Sequence, residues 1–213
     1  TDIEIIKGTG TVTLTQAQLE SLTKLDGITV QLSSGSEYQI DSIELANGAQ
    51  VFAPTFLGTD DADELIQGQG NQTIVGGLGD DTIDGRGGYD EVNFNSATVG
   101  LVIDLAKTQQ PDGMGGTDNI SNIEGVEATN YDDTIYGTDG ANSLDGRLGN
   151  NIIDGRDGYD FVEYNGGGRH NVIADLSNGI ASFTKGLDGT SYTDTLINIE
   201  GVVGSSNNDT IKG

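Results

Sequence analysis

Nine oxygen-bearing side chains in this 213-residue chain fall at a nine-residue spacing within three arrays, and each is followed two residues later by an apolar residue. The donors are Asp63, Gln72, Asp81 and Asp90, then Asp133, Asn142, Asn151 and Asp160, then Asp209. Their companions are Leu65, Ile74, Ile83 and Val92, then Ile135, Leu144, Ile153 and Val162, then Ile211. Glycines gather ahead of most donors, where a tight turn exposes backbone carbonyls. Hard oxygens from side chains and turn carbonyls are the donor set of a hard cation. Asp and Asn also satisfy turn backbone without any metal.

The charge balance bears on that choice. Thirty-four acidic residues against 9 basic ones give a formal charge of -25. A compact chain with this charge repels itself, so either the chain is loosely folded or cations neutralise part of the acid. Asp outnumbers Glu by 24 to 10, and there are 34 glycines. That bias places the acids in turns rather than on helix faces. Four Arg and five Lys leave no basic footprint, which excludes nucleic acid as a partner and argues against an anionic membrane surface. No apolar run reaches the length of a spanning helix, and the first residues lack a signal-peptide pattern. With no cysteine, disulfides and thiolate sites are excluded.

Written as units, the first array is GTDDADELI, QGQGNQTIV, GGLGDDTID and GRGGYDEVN over residues 58–93. The second is ATNYDDTIY, GTDGANSLD, GRLGNNIID and GRDGYDFVE over residues 128–163, and GSSNNDTIKG opens a third at residues 204–213. Position six holds the donor and position eight the apolar residue. One period before each array lies Phe56, Val126 or Val202, so each array is expected to follow one further rung. Positions one, two and four hold the turn glycines, among them Gly76, Gly77, Gly79, Gly85, Gly88, Gly140, Gly146, Gly149, Gly155 and Gly158. A Cβ there would obstruct the neighbouring rung. The series resembles the GGxGxDxUx nonapeptide, with U apolar, of the RTX (repeats-in-toxin) calcium-binding family, and GGLGDDTID matches every defined position.

That resemblance implies an all-β parallel β-roll in which each unit supplies one turn and one short strand, with calcium between stacked turns. Neighbouring units then lie on opposite edges, so turns two units apart pair: Asp63 with Asp81, Gln72 with Asp90, Asp133 with Asn151, and Asn142 with Asp160. About four calcium sites are expected, unequal because ligand charge tunes affinity, with Asp63 and Asp81 leading. Asp209 has no position-six partner after it. The metal ligands implied are Asp63, Asp81, Asp90, Asp133, Asn142, Asn151, Asp160 and Asp209, with carbonyls of the glycines named above. Asp80, Asp84, Asp132, Asp145 and Asp154 are read as outer charge. Arg86, Arg147 and Arg156 each follow an Asp-Gly pair and are read as local charge balance, and Tyr89 and Tyr159 as lids ending an array.

A larger repeat encloses the small one. Residues 117–137 align without gaps to residues 193–213, with 11 identities in 21 positions. Strand-like VGLVIDLA at 99–106 and NVIADLSNG at 171–179 precede them, giving a module of about 70 to 76 residues. Four nonapeptides leave two open ends, and stacked repeats need caps. The expected organisation is therefore an N-terminal β-rich cap with a short helix at 1–57, a first array at 58–93, and a cap and relay at 94–127. A second array at 128–163, a second cap and relay at 164–203 and a truncated third array at 204–213 complete it. The helix is placed at 15–25, where Thr15 and Gln18 form a capping box and Leu19, Leu22 and Leu25 share a face, with strands TGTVTL and ITVQL completing the cap.

Catalysis finds little support. His170 is the single histidine, which excludes H-E-x-x-H zinc chemistry, and no G-x-S-x-G occurs. The carboxylates could be paired as a glycosidase couple, but the repeat accounts for them better. The reading is a non-catalytic calcium-binding module from a large secreted or cell-surface bacterial protein, of adhesin or surface-layer type, exported in one step as the family resemblance implies. Low cytosolic calcium leaves such repeats unfolded for threading, and calcium outside folds them. The alternative is an accessory module of a polysaccharide-modifying enzyme, which would use calcium and Arg to bind an anionic glycan. A third option is a lectin or partner-binding domain built from residues 1–57 and the caps. Partners expected are calcium, and a glycan or neighbouring copies of a surface protein, without nucleic acid or membrane insertion. The chain is read as a fragment of a longer parent.

Overall fold

A computed structural model describes residues 55–66, 70–186 and 188–213, and before them the backbone of five short strands. Every regular element among the described residues is a strand. In chain order they begin with β1 (Ile6–Lys7), β2 (Thr11–Leu14), β3 (Leu25–Asp26), β4 (Thr29–Leu32), β5 (Tyr38–Gln39), β6 (Thr55–Leu57), β7 (Glu64–Ile66), β8 (Thr73–Val75), β9 (Thr82–Asp84) and β10 (Glu91–Asn93). Next come β11 (Val102–Asp104), β12 (Gln109–Pro111), β13 (Thr117–Ser121), β14 (Gly125–Glu127), β15 (Thr134–Tyr136), β16 (Ser143–Asp145) and β17 (Ile152–Asp154). The rest are β18 (Phe161–Glu163), β19 (Arg169–Asp175), β20 (Ile180–Lys185), β21 (Ser191–Ile197), β22 (Gly201–Val203) and β23 (Thr210–Lys212). The chain forms two compact units, residues 1–93 with 108–123, and residues 94–107 with 124–213.

Each nonapeptide contributes a three-residue strand at positions seven to nine. Side chains alternate along a strand, so only position eight turns inward. Leu65, Ile74, Ile83, Val92, Ile135, Leu144, Ile153 and Val162 are all fully buried. Ile211 lies in an edge strand and stays about half exposed. Burying one such side chain stabilises by roughly 1.5–3 kcal/mol, which makes the inward file the apolar core of a chain otherwise rich in acid.

In the first unit, successive strands alternate between two parallel ladders. One sets Phe56 opposite Ile74 and Ile74 opposite Val92; the other sets Leu65 opposite Ile83. Phe56 is the extra rung expected before the first array. β2 and β4, read from sequence as cap strands, extend the first ladder in register, with Val12 opposite Val30 and Val30 opposite Phe56. The helix expected at 15–25 lies outside the described residues except at Leu25, which opens β3. The other ladder ends in the β12–β13 hairpin, whose Ile120 sits opposite Ile83.

The second unit repeats the scheme. Ile135 pairs with Ile153, Val126 with Leu144, and Leu144 with Val162, which sits opposite Val202. β11 lies beside β15 at the start of the array. At its end the antiparallel strands β19, β20 and β21 follow, with β21 on β17 and β19 on β23, so this meander leads to the first strand of the next array. Tyr164, Phe183 and Tyr192 meet in series, the first pair tilted and the second stacked, with ring centroids 5.2 and 5.6 Å apart. Arg169 is buried, paired with Asp145 and lying over the Tyr164 ring. Among the described residues each unit is an all-β parallel β-roll.

Candidate metal centre

The position-six residues form vertical files at the turns. Each Oδ1 accepts the backbone N–H of the position-six residue 18 residues earlier: Asp81 from Asp63 at 2.9 Å, Asp90 from Gln72 at 2.9 Å, Asn151 from Asp133 at 2.9 Å, and Asp160 from Asn142 at 2.8 Å. These are the four pairs expected from the spacing. The bond uses one oxygen of each side chain, and the other terminal atom, an oxygen in Asp81, Asp90 and Asp160 and an amide nitrogen in Asn151, lies against the position-one glycine of its own turn.

Several side-chain oxygens of these files have no partner. Asp63 Oδ1, Gln72 Oε1, Asp81 Oδ2 and Asp160 Oδ2 are buried and accept no hydrogen bond. Leaving a buried acceptor unsatisfied costs about 1–3 kcal/mol, more when it is charged. Burial drives the Asp81 carboxyl up to about 6; the Asp63 N–H opposes the rise, and repulsion from Asp63, Asp112 and Asp80 adds to it. The Asp160 carboxyl is also raised, chiefly by burial. In both, burial disfavours the charged form.

The glycines let the turns stack this closely. Gly76, Gly85, Gly155 and Gly146, at position one, pack against the position-six side chain of their own turn, so a Cβ would collide with Asp81, Asp90, Asp160 or Asn151. Gly77, Gly79, Gly88, Gly149 and Gly158, at positions two and four, have positive φ and lie against the turn below, where Thr59, Gly70, Tyr131 and Gly140 present carbonyl oxygens and Gly79 faces the Asp61–Ala62 peptide. Gly140 differs: a Cβ there meets only Thr138 Oγ1, at 3.6 Å. Side-chain oxygens without partners and the carbonyls of closely stacked turns are hard donors that fit a hard cation.

The amide rungs are satisfied differently. Asn151 Nδ2 donates to the Gly146 carbonyl and Asn142 Nδ2 to the Glu124 carbonyl, each at 3.0 Å. Both oxygens of Asp133 accept from Thr129, and Oδ1 also accepts the Leu101 N–H at 2.7 Å. Asp209 takes the Val172 N–H at 2.9 Å and the Ser205 hydroxyl at 2.7 Å. Its file therefore does hold a partner, the Val172 N–H of β19.

The residues read as outer charge serve the backbone. Asp80 and Asp132 accept N–H groups from Thr117 and Asn150 in the next turn, both at 2.8 Å. Asp84, Asp145 and Asp154 each accept the N–H of the arginine two residues on, and Arg86, Arg147 and Arg156 all have positive φ. Arg147 pairs with Glu127, and Arg156 reaches Asp104 at 2.7 Å and lies over the Tyr136 ring. Local charge balance describes Arg147 and Arg156.

Sequence reading missed the residues that continue the files beyond the nonapeptide arrays. Asp118 accepts the Asp81 N–H at 3.1 Å, Asp194 the Asn151 N–H at 2.8 Å, and Glu200 the Asp160 N–H at 2.9 Å. Burial raises Asp118 to about 7 and Asp194 to about 6. Their signal lay in the 21-residue alignment, where Asp118 and Asp194 coincide.

Among the described residues no three His, Cys, Asp or Glu side chains gather as a metal cluster, so carbonyls must contribute to any site. The family model of the RTX calcium-binding nonapeptide repeat matches residues 57–95 and 127–162, in four copies. No curated protein matches the sequence. The chain carries a calcium-binding β-roll.

Proposed function

We propose that this chain, whose residues 57–95 and 127–162 are RTX calcium-binding nonapeptide repeats, is a non-catalytic module of a larger secreted or cell-surface protein that calcium folds and stiffens after export. One observation carries the reading: buried carboxylate oxygens at Asp63, Asp81 and Asp160 lack any partner although their turns are closely stacked. Without a cation, stacking brings these charges out of water uncompensated. Bound calcium supplies the missing positive charge, so binding energy becomes folding energy.

The ligands in this reading are the position-six residues and the carbonyls of the glycine turns. The sites differ in strength. Asp63 with Asp81 offers two carboxylates, and Asp160 and Gln72 each bring an oxygen without a partner. Asp133 with Asn151 is already hydrogen-bonded and ranks last. The glycan-binding alternative needs free basic groups, whereas Arg147, Arg156 and Arg169 are spent on Glu127, Asp104 and Asp145.

Limited proteolysis of the whole chain tests the switch. In chelator, cleavage should spread through residues 58–163; in millimolar calcium these residues should resist, and magnesium should not substitute. Equal protection in chelator and calcium would refute folding on export.

A further inference from the structure

We propose that the β12–β13 hairpin completes a further calcium site between Asp81 and the turn 112–118, outside both nonapeptide arrays. The inference rests on the calcium reading of the repeats but involves residues that the repeat does not include. This turn stacks on residues 76–81 as one more rung. Thr117 N–H donates to Asp80 Oδ1 and Asp81 N–H to Asp118 Oδ1, as in the nonapeptide files. Gly116 lies on Gly79 as Gly88 lies on Gly70, each too close for a Cβ.

The oxygens that border the gap are poorly satisfied. Asp112 is 1% exposed and Asp81 fully buried, and Oδ2 of each has no hydrogen-bond partner. Asp112 cannot turn away, because its Oδ1 accepts the N–H groups of Met114, Gly115 and Gly116 at 2.8, 2.9 and 2.9 Å. A Cβ on Gly116 would stand 2.9 Å from Asp112 Oδ2 while overlapping the Gly79 carbonyl oxygen. A Cβ on Gly76 would overlap Asp81 Oδ2 and stand 3.4 Å from Asp118 Oδ2. Gly116 thus lets Asp112 Oδ2 lie near the Gly79 carbonyl oxygen, and Gly76 lets Asp118 Oδ2 lie near Asp81 Oδ2, so that carboxylates and a carbonyl share the donor set. The charges that act on Asp118 are Asp81, Asp112 and Asp80, all acidic. Hard oxygens of both kinds suit calcium, whose coordination tolerates irregular geometry better than that of magnesium.

The equivalent rung of the second unit shows the metal-free solution. There Asn151 stands where Asp81 does, its amide donates to the Gly146 carbonyl, and the buried Tyr164 hydroxyl donates to Asp194 Oδ2 at 2.8 Å. One cap rung is closed by hydrogen bonds, and the other is left with oxygens that ask for a cation.

Calorimetric titration of the chelator-stripped full chain with calcium chloride, and with magnesium chloride as control, tests the site in the wild type and in Asp112→Asn. The substitution retains the Oδ1 acceptor of the turn, so far-UV circular dichroism in saturating calcium should match the wild type. The variant should lose one calcium equivalent, or hold one about tenfold or more weakly. Unchanged stoichiometry and affinities overturn the site while leaving the repeat reading intact; no calcium uptake by the wild type overturns both. Should the variant misfold, anomalous diffraction from wild-type crystals grown in calcium decides: a peak between Asp81, Asp112 and Asp118 supports the site, and peaks confined to the nonapeptide turns overturn it.

Discussion

Asp81 performs two tasks that conflict without a cation. Its Oδ1 fixes the turn below through the Asp63 N–H, while Oδ2 is buried with no partner. Asp81→Asn keeps the first task and removes the charge, so calcium affinity should fall about tenfold or more, as ligand charge sets affinity. Isothermal titration of the variant checks this, and an unchanged affinity would speak against Asp81 as a ligand. Burial also fixes the pH response. Asp81 near 6, Asp118 near 7 and Asp194 near 6 stand above the ordinary 3.8, so the folded calcium-free chain holds these protons more tightly than the unfolded chain. Its stability is therefore greatest below about pH 4 and is lost as pH climbs through about 6 to 7. Calcium needs the deprotonated oxygens, so its affinity should decline as pH falls through that window. Thermal melts in chelator should drop from pH 4 to 8, and melts in calcium should rise. The position-six donors were legible from period alone. Asp118, Asp194 and Glu200 were not, because 37, 43 and 40 residues separate them from their partners instead of 18.

At the scale of the rung, close stacking sets which substitutions the roll tolerates. Gly76→Ala drives a methyl group into Asp81 Oδ2 and should cost about 2–4 kcal/mol in calcium, with weaker binding, whereas Gly140→Ala should stay within about 0.5 kcal/mol. Paired melts of the two variants separate turn packing from glycine content. At the cap, Arg169 is buried against Asp145 and Tyr164, and Arg169→Ala should destabilise by about 3–5 kcal/mol by stranding that carboxylate. A melt within about 1 kcal/mol of the wild type would contradict the cap's role. The apolar residue at position eight predicted these strands, since alternation along three residues leaves one inward side chain. β2 and β4 were read as cap instead of rungs. Thr11–Leu14 and Thr29–Leu32 also stand 18 residues apart, but no glycine-aspartate turn of the repeat precedes them, and strand pattern alone does not fix the sheet that a strand joins.

For the whole molecule, a formal charge of -25 opposes compaction unless cations enter. Each site filled at a hundred times its dissociation constant stabilises the fold by about 2.7 kcal/mol, so several sites acting together decide between folded and unfolded chains. Periodicity made that logic readable in the sequence, while the unequal strength of the sites needed coordinates, because an Asn that satisfies itself and an Asp that cannot occupy the same position of the repeat. The most direct measurement is far-UV circular dichroism of the chelator-stripped chain titrated with calcium against a magnesium control. A cooperative, calcium-specific gain of β signal is the predicted result. A chain fully folded in chelator, with neither signal nor melting temperature changed by calcium, would contradict it.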